Sequence, residues 1–296
     1  MKVTHLSEIL GAEVDDIDCQ DISDRDFSAL QNLLWDRGVL SIPNQDLTPD
    51  AQFAFAQRWG EINVNRFFTP VAENRRVAEV LKEPDQELNI GGGWHTDHSY
   101  DDVPAMCSML YALEVPDTGG DTLFASMYAA YANLSDGFKQ TLSSMCAVHS
   151  SRHVFGHEPM EGDRPRKRLH NPELAVQDAV HPVVIEHPGS GRPSLYVNPS
   201  FTVRFDGWST SESASLLAYL YRFGARPEHT IRYRWKPGTL VIWDNRATWH
   251  YALNDYHGQR RLMHRVTVEG VPLRACLLYT SPSPRDLSTS RMASSA

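Results

Sequence analysis

Four segments have the hydrophobic periodicity of amphipathic helices. In the first, apolar residues recur every three or four positions between a potential N-cap at Ser23 and a potential stop at Gly38. The second opens with Thr-Pro-Asp, an order typical of a helix start, and the fourth is expected to end at Gly224. The predicted helices are Asp24–Arg37, the segment from Thr48 to Gly60, Ser135–Met145 and Ser211–Phe223.

Most of the remaining pattern is typical of β-strands. The predicted strands are Val39–Pro43, Ala105–Leu113, Asp121–Ser126, Pro182–Glu186, Ser194–Asn198, Thr230–Trp235, Thr239–Trp243 and Arg261–Val268. A Pro-Gly-Ser-Gly-Arg-Pro turn predicts one hairpin, and Lys-Pro-Gly at 236–238 predicts a second. Hairpins that follow an N-terminal pair of helices predict a mainly β protein with flanking helices, a jelly roll or double-sheet barrel with helices packed outside.

Composition narrows the class of protein. The 296 residues are 41% hydrophobic and 22% charged with a net charge of −9, which argues against a disordered chain and a nucleic-acid binder. The longest apolar run, Ala105–Leu113, is too short for a membrane span. Four cysteines without CxxC spacing, and an N-terminus without the apolar core of a secretory signal, predict a cytoplasmic protein. A homo-oligomer is compatible with this sequence.

Two segments stand apart from this pattern. Residues 276–296 resemble the translated read-through of a sequencing adapter, with a genuine Ser/Pro-rich tail as the alternative. A single domain is therefore expected over residues 1–275. The polar stretch Gly156–Asn171 is predicted to be a loop, and a role as a lid is open.

Three residues could form a metal site. His95 and Asp97 are two apart, so in an extended segment their side chains point the same way. His250 follows an apolar strand about 155 residues later. Two histidines and one carboxylate form the facial triad of non-haem Fe(II) oxygenases, although Zn²⁺ could use the same ligands. A surface histidine beside a turn-forming aspartate is the alternative for the first pair.

The last predicted strand carries two arginines on one face. With a period of two, Arg261, Met263, Arg265 and Thr267 point the same way. If that face is inward, two guanidinium groups enter the core, where each needs an anion such as a carboxylate, sulfonate or phosphate. Solvated arginines, or a salt bridge with an acidic residue, are the alternatives.

Together these motifs resemble the taurine dioxygenase (TauD/TfdA) family, and the match extends from the first helix to Gly270. The residues that carry it are His95-Thr96-Asp97, Gly119-Gly120-Asp121-Thr122, the segment from Trp243 to His250, and the segment from Arg260 to Arg265. The resemblance implies a double-stranded β-helix and an oxidoreductase that depends on Fe(II), 2-oxoglutarate and O2.

The resemblance also implies roles for single residues. His95, Asp97 and His250 would bind the metal, and Thr122 and Arg261 the distal carboxylate of 2-oxoglutarate. Arg265 would lie near an acidic group of the prime substrate, a small molecule that is hydroxylated while succinate and CO2 are released.

The residues around the expected substrate differ in part from those of taurine-using relatives. Phe155 and Phe201 match the family's apolar pocket walls. Gly91–Gly93, Asn65 and Phe68 replace polar or aromatic groups on the amine side, which argues against taurine itself. Asn65 and His98 could then set specificity, while a partly exposed polar residue beside the site, or an additional metal ligand, is the alternative for His98.

Two other functions stay open from the sequence. A Zn²⁺-dependent hydrolase or isomerase on the same barrel would not need Thr122 and Arg261. A catalytically silent ligand-binding barrel is expected to have a broken triad, which this sequence does not show.

Overall fold

The computed structural model describes residues 1–156 and 169–276, which are mainly β-structure with helices on the outside. The helices are α1 (Asp24–Arg37), α2 (Pro49–Gln57), α3 (Met127–Ala132), α4 (Asp136–Leu142), α5 (Arg152–Phe155) and α6 (Thr210–Gly224). The strands are β1 (Lys2–His5), β2 (Ala12–Asp15), β3 (Val39–Ile42), β4 (Ile62–Asn63), β5 (Ala78–Lys82), β6 (Cys107–Glu114), β7 (Thr122–Ser126), β8 (Cys146–Ser150), β9 (Asp178–Pro182), β10 (Val184–Glu186), β11 (Pro193–Leu195), β12 (Thr202–Phe205), β13 (Thr230–Tyr233), β14 (Leu240–Asp244), β15 (Thr248–Ala252), β16 (Arg261–Val268) and β17 (Arg274–Ala275).

The predicted helices are confirmed, and their ends show why they form. Ser23 accepts a hydrogen bond from the N–H of Asp26 at the start of α1, and Gly38 closes the helix with a φ of 70°. The role predicted for Gly224 is wrong, because this residue is the last of α6 rather than its stop. A Cβ atom at Gly224 would lie 2.6 Å from the indole ring of Trp249, so packing requires the glycine.

The largest sheet has α1 and α2 on its outer face. Its strand order is β1-β2-β3-β14-β6-β16-β4, with β5 also paired to β16. Alternate residues of β14 face opposite ways, as the pleat requires. Leu240 and Ile242 pack in the core with the two helices, whereas Val241 and Trp243 pack in a second core on the inner face.

That inner core also contains Phe124 of β7, so a second sheet of order β13-β7-β15 faces the first. Helices α3, α4 and α6 cover the outer side of this second layer together with Trp249 of β15. Two facing sheets with helices outside confirm the predicted double-stranded β-helix, or jelly-roll, core.

One predicted hairpin is confirmed and the other is wrong. Strands β10 and β11 pair across the Pro/Gly-rich turn, with Glu186 opposite Pro193. Strand β13 instead pairs with β7, while β14 pairs with β3 and β6. Lys-Pro-Gly therefore carries the chain from one sheet to the other, because a turn signal marks a change of direction and not the partner strand. Strand β17, beyond the last predicted strand, pairs with β10.

Parts of the two segments set apart by composition lie outside the described residues. These are residues 157–168 of the predicted loop and residues 277–296 of the predicted tail. Among the helices that the structure describes, none combines the length and the apolar character needed to cross a bilayer.

Candidate active site

His95 and His250 are held side by side by their own backbones. The two residues form an antiparallel bridge, in which each N–H donates to the other's carbonyl oxygen at 3.1 and 2.8 Å. Their imidazole centroids are consequently 4.0 Å apart. Asp97 completes the group, with its two carboxylate oxygens 3.7 Å from His95 Nε2 and 3.8 Å from His250 Nε2. The structure thus brings the three predicted metal ligands together.

The three side chains offer the donor atoms that a divalent transition metal needs. Their candidate ligand atoms all lie within 4.8 Å of one another. The Nδ1–H of His95 donates to the carbonyl oxygen of Gly93 at 2.7 Å, which leaves Nε2 with a lone pair for a metal. Burial lowers the pKa of both imidazoles, that of His250 well below its ordinary value, so both are in the neutral form that ligates metals. This donor set fits Fe(II).

The carboxylate of Asp97 is fixed by its neighbours. Ser108 donates its hydroxyl to Asp97 Oδ2 at 2.8 Å, and Asn245 in turn donates to the Ser108 oxygen at 3.1 Å. Arg265 Nη2 forms an ion pair with the same carboxylate oxygen. Burial raises the pKa of Asp97, but Arg265 and the two histidines hold that pKa well below its ordinary value. The group is therefore ionised and held in one orientation.

Arg261 has a buried guanidinium whose hydrogen-bonding capacity is only partly used by the residues that the structure describes. The residue is 5% exposed, and its Nε and Nη2 atoms have no hydrogen-bond partner among the described residues. Burial lowers its pKa to about 10, so the side chain is still a cation at neutral pH. A buried cation of this kind is unfavourable unless an anion binds it, and a planar guanidinium suits a carboxylate.

Thr122 lies beside the same indole ring as Arg261. Trp235 donates its Nε1–H to Thr122 Oγ1 at 2.9 Å, and its ring centroid is 5.5 Å from Arg261 Cζ. The turn before Thr122 needs glycine, because Gly119 has a φ of 79° and a Cβ atom there would lie 2.6 Å from the carbonyl oxygen of Asp255. The Gly-Gly-Asp-Thr motif thus places a hydroxyl at the first position of β7.

A single cavity of about 890 Å³ connects these groups. Its lining includes the three candidate metal ligands together with Thr122, Arg261 and Arg265. Residues 261, 263, 265 and 267 of β16 are all buried, in agreement with the period of two in the sequence. The two arginines therefore open into the same space as the candidate metal site.

Aromatic side chains form one wall of the cavity. The rings of Phe155 and Phe201, both predicted pocket walls, are 5.9 Å apart, and Tyr100 packs 4.9 Å from Phe201. Phe67 stacks behind Phe155 at 4.3 Å. Arg265 lies near this wall, with its Cζ 5.5 Å from the ring centroid of Phe68. An apolar surface thus adjoins a cationic one.

His98 and Asn65 also line the cavity. His98 is 2% exposed, so the alternative of a partly exposed residue is wrong. Its φ of 55° and a 3.0 Å hydrogen bond from Nδ1 to Asp101 orient the ring, while Nε2 has no hydrogen-bond partner in the described part of the chain. The Oδ1 atom of Asn65 accepts the N–H groups of Phe67 and Phe68 at 2.8 and 3.1 Å, so this residue shapes the loop at the cavity wall.

Several residues of the site were not predicted from the sequence. Ser108 and Asn245 hold Asp97, and Ser108 could have been found as a polar position in an apolar run. Tyr100, Trp235 and Trp243 also line the cavity. An aromatic residue offers no signal in the sequence that separates packing from a place at a site.

A double-stranded β-helix with a His-Asp-His triad and a buried arginine in one cavity defines the class of Fe(II)- and 2-oxoglutarate-dependent dioxygenases. The comparison with protein families agrees, since the model described as "Taurine catabolism dioxygenase TauD, TfdA family" matches residues 2–267. The chain belongs to this family, and is an oxidoreductase that uses Fe(II), 2-oxoglutarate and O2.

Individual relatives cover almost the whole chain. It is 33% identical to an alkylsulfatase of Acinetobacter baylyi over 304 aligned positions, which span 99% of this chain and 93% of the relative. It is 32% identical to an α-ketoglutarate-dependent sulfate ester dioxygenase of Pseudomonas putida, over 88% of this chain and 87% of the relative. The crystal structure of a taurine dioxygenase from Burkholderia xenovorans superposes with a TM-score of 0.78 at 28% identity, covering 93% and 92% of the two chains.

Proposed function

We propose that His95, Asp97 and His250 bind Fe(II), and that Thr122 and Arg261 bind the distal carboxylate of 2-oxoglutarate. The observation that carries this proposal is the buried guanidinium of Arg261, which opens into the same cavity as the triad and has two nitrogen atoms without a partner among the described residues. Bound Fe(II), with 2-oxoglutarate and O2, supplies the oxidising power to hydroxylate a substrate carbon, with release of succinate and CO2.

The protein's part in this reaction is to bind and orient. The N–H groups of Arg261 and the hydroxyl of Thr122 would hold one end of 2-oxoglutarate, so that its other end meets the metal in a fixed position. Ser108 and Asn245 would keep the Asp97 carboxylate in the orientation that ligates the metal.

The prime substrate in this proposal is an organic anion with an apolar body. Arg265 uses Nη2 for Asp97 and Ser108, while its Nε has no partner in the described residues and is free for an anionic group. The wall that contains Phe155 and Phe201 would pack on the apolar part of the substrate. A cavity of about 890 Å³ lies near the upper end of the usual range for small-molecule sites, about 300–1,000 Å³. His98 and Asn65 complete the proposed substrate contacts.

Sulfate esters, the substrates named for one relative, combine these two properties. If the hydroxylated carbon carries the ester oxygen, the product is unstable and splits into an aldehyde and sulfate. The oxygen atom comes from O2, whose second atom enters succinate. An alkanesulfonate oxidised beside sulfur would release sulfite in the same way.

A screen for succinate release tests the function and the substrate class together. The purified enzyme, with Fe(II) and 2-oxoglutarate, is offered alkyl sulfates, alkanesulfonates, phenoxyacetates, taurine and neutral alcohols of matched length. We expect the anions with an apolar body to stimulate succinate release most, with sulfate or sulfite as a co-product. Equal stimulation by the neutral alcohols would contradict the proposed role of Arg265.

Arg265→Lys is the matched variant, because it keeps a positive charge beside Asp97 but loses the planar fork. We expect KM for the anionic substrate to rise, while the visible band of the anaerobic Fe(II)·2-oxoglutarate complex is retained. A variant with an unchanged KM would contradict the assignment.

Location, assembly and domain boundary form a separate part of the proposal. The four cysteines, all within the described residues, are free thiols, which supports a reducing compartment such as the cytoplasm. We infer one domain over residues 1–275, with 276–296 outside it. A chain that ends at Cys276, which keeps the hydrogen bond from the Cys276 N–H to the carbonyl oxygen of Val184 at 3.0 Å, should keep its melting temperature and activity, and sedimentation of that chain would establish whether it forms a homo-oligomer.

A further inference from the structure

Trp235 touches both residues that are proposed to hold 2-oxoglutarate. It is 6% exposed and lines the cavity, with its Nε1–H bonded to Thr122 Oγ1 at 2.9 Å. An indole nitrogen can only donate, so the Thr122 oxygen must be the acceptor. The hydroxyl hydrogen of Thr122 is then not engaged with Trp235 and is free to donate to an anion in the cavity.

The ring of Trp235 has a second contact. Its centroid is 5.5 Å from Cζ of Arg261, within the range in which an aromatic ring attracts a cation. Because this guanidinium is buried and incompletely paired among the described residues, the ring is a neighbour that favours its charge. Tyr233 packs edge-on against the indole at 5.2 Å, and this contact helps fix the ring.

We propose that Trp235 is a positioning residue for 2-oxoglutarate. Its N–H directs the Thr122 hydroxyl towards the bound carboxylate, and its ring supports the Arg261 guanidinium. The proposal rests on the proposed function, in which Thr122 and Arg261 bind that carboxylate. In this role Trp235 acts through Thr122 and Arg261 and does not contact the carboxylate itself.

Binding of 2-oxoglutarate to Trp235→Phe is the test, since phenylalanine keeps a buried ring but lacks the N–H. Affinity is measured twice, by anaerobic titration of the Fe(II) enzyme through its visible band and by the thermal shift that N-oxalylglycine produces in the Mn(II) enzyme. We expect binding about five- to ten-fold weaker than wild type, since the affected hydrogen bond is made to a charged group. KM for 2-oxoglutarate should rise by the same factor, with little change in KM for the prime substrate.

A double-mutant cycle with Thr122→Val separates positioning from general packing. If Trp235 acts through Thr122, removing its N–H weakens binding far less once the hydroxyl is gone, so the two effects are not additive. Trp59→Phe is the matched control, because Trp59 is also buried, its Nε1 has no partner among the described residues, and it lies outside the cavity. This control should bind 2-oxoglutarate as the wild type does.

The outcomes distinguish this inference from the function on which it rests. A wild-type enzyme that does not bind 2-oxoglutarate, or a Thr122→Val enzyme with unchanged affinity, would refute the proposed function. If Thr122→Val weakens binding but Trp235→Phe stays within two-fold of wild type, or the two effects add fully, the positioning role is refuted.

An experiment on intact Trp235 covers the case in which the phenylalanine variant does not fold. The indole N–H signal of Trp235 is followed by NMR in the Zn(II)-loaded enzyme. We expect N-oxalylglycine to shift it in the wild type and much less in Thr122→Val. A signal that does not move in the wild type, or that moves equally in both proteins, would overturn the inference.

Discussion

A substitution of Arg261 should raise the stability of the protein without ligand and lower its affinity for 2-oxoglutarate. The guanidinium of Arg261 is buried, and within the described chain its Nε and Nη2 atoms have no hydrogen-bond partner. Replacing it with methionine keeps most of the apolar stem and removes the charge. We expect Arg261→Met to make the protein without 2-oxoglutarate more stable while it abolishes tight binding of 2-oxoglutarate.

The expected gain in stability follows from the pKa of Arg261. Burial lowers this pKa from 12.5 to about 10, and one pKa unit corresponds to about 1.4 kcal/mol. Because the folded pKa lies below the unfolded one, the unfavourable free energy is present in full at every pH below about 10. Its size is on the order of 3 kcal/mol, from which imperfect packing of the thioether subtracts about 1 kcal/mol or more.

The expected loss in binding is larger than this gain. A hydrogen bond to a charged group contributes about 1.5–3 kcal/mol, and a guanidinium that holds a carboxylate through two N–H groups loses both when it is replaced. The dissociation constant for 2-oxoglutarate should therefore rise by about 100-fold or more.

Thermal unfolding of the Mn(II)-loaded enzyme, with and without 2-oxoglutarate, measures both effects. The wild type should gain about 2.7 kcal/mol at a ligand concentration of 100 times Kd, whereas Arg261→Met should start higher and gain almost nothing. Arg246→Met is the matched control. Arg246 is also buried but donates to Asp244 at 2.9 and 2.6 Å, so its removal leaves a buried carboxylate with less compensation and should destabilise by about 3–5 kcal/mol.

Two results would refute this reasoning. A variant that loses stability as Arg246→Met does would mean that Arg261 has a structural partner. A variant that keeps the full 2-oxoglutarate shift would mean that its guanidinium does not bind the ligand.

Three further predictions concern the surroundings of the site. Ser108→Ala should weaken Fe(II) binding by about ten-fold, because the Asp97 carboxylate loses the hydrogen bond that orients it. Competition with a chelator measures the affinity for Fe(II), and an unchanged affinity would contradict the prediction. Gly224→Ala should lower the free energy of unfolding by about 1–3 kcal/mol, because the Cβ of the alanine would meet the ring of Trp249. A urea titration measures this free energy, and an unchanged value would contradict the prediction. His98→Leu should leave the Fe(II)·2-oxoglutarate band intact but change the order of preferred substrates in the succinate screen; an unchanged order would remove His98 from the substrate contacts.

The sequence predicts the site well where polar residues interrupt an apolar pattern. On β16 the period of two placed Arg261 and Arg265 on the same face, and the family resemblance indicated that this face is the inner one. The helix caps at Ser23 and Gly38 could also be predicted, because each depends on a single residue: the side chain of Ser23 and the φ angle of Gly38.

Pairing between strands could not be predicted in the same way. The turn at 236–238 suggested that β13 and β14 pair with each other, yet each finds its partners in a different sheet. The choice depends on which faces are buried against Phe124 and Trp243, and such contacts between distant parts of the chain leave no trace in a local pattern.

Thr122 was predicted to belong to the site because Gly119-Gly120-Asp121-Thr122 resembles a motif of the family, whereas no such resemblance pointed to Trp235. The structure shows what the motif does locally, because Gly119 has a positive φ and β7 begins at Thr122. Trp235 falls at the end of the predicted strand Thr230–Trp235, where packing alone accounts for a tryptophan, so nothing in the sequence shows that its one polar atom is used. Only the structure shows that the Nε1–H of Trp235 donates to Thr122 Oγ1 at 2.9 Å. Because an indole can only donate, the hydroxyl hydrogen of Thr122 is left to point towards another acceptor.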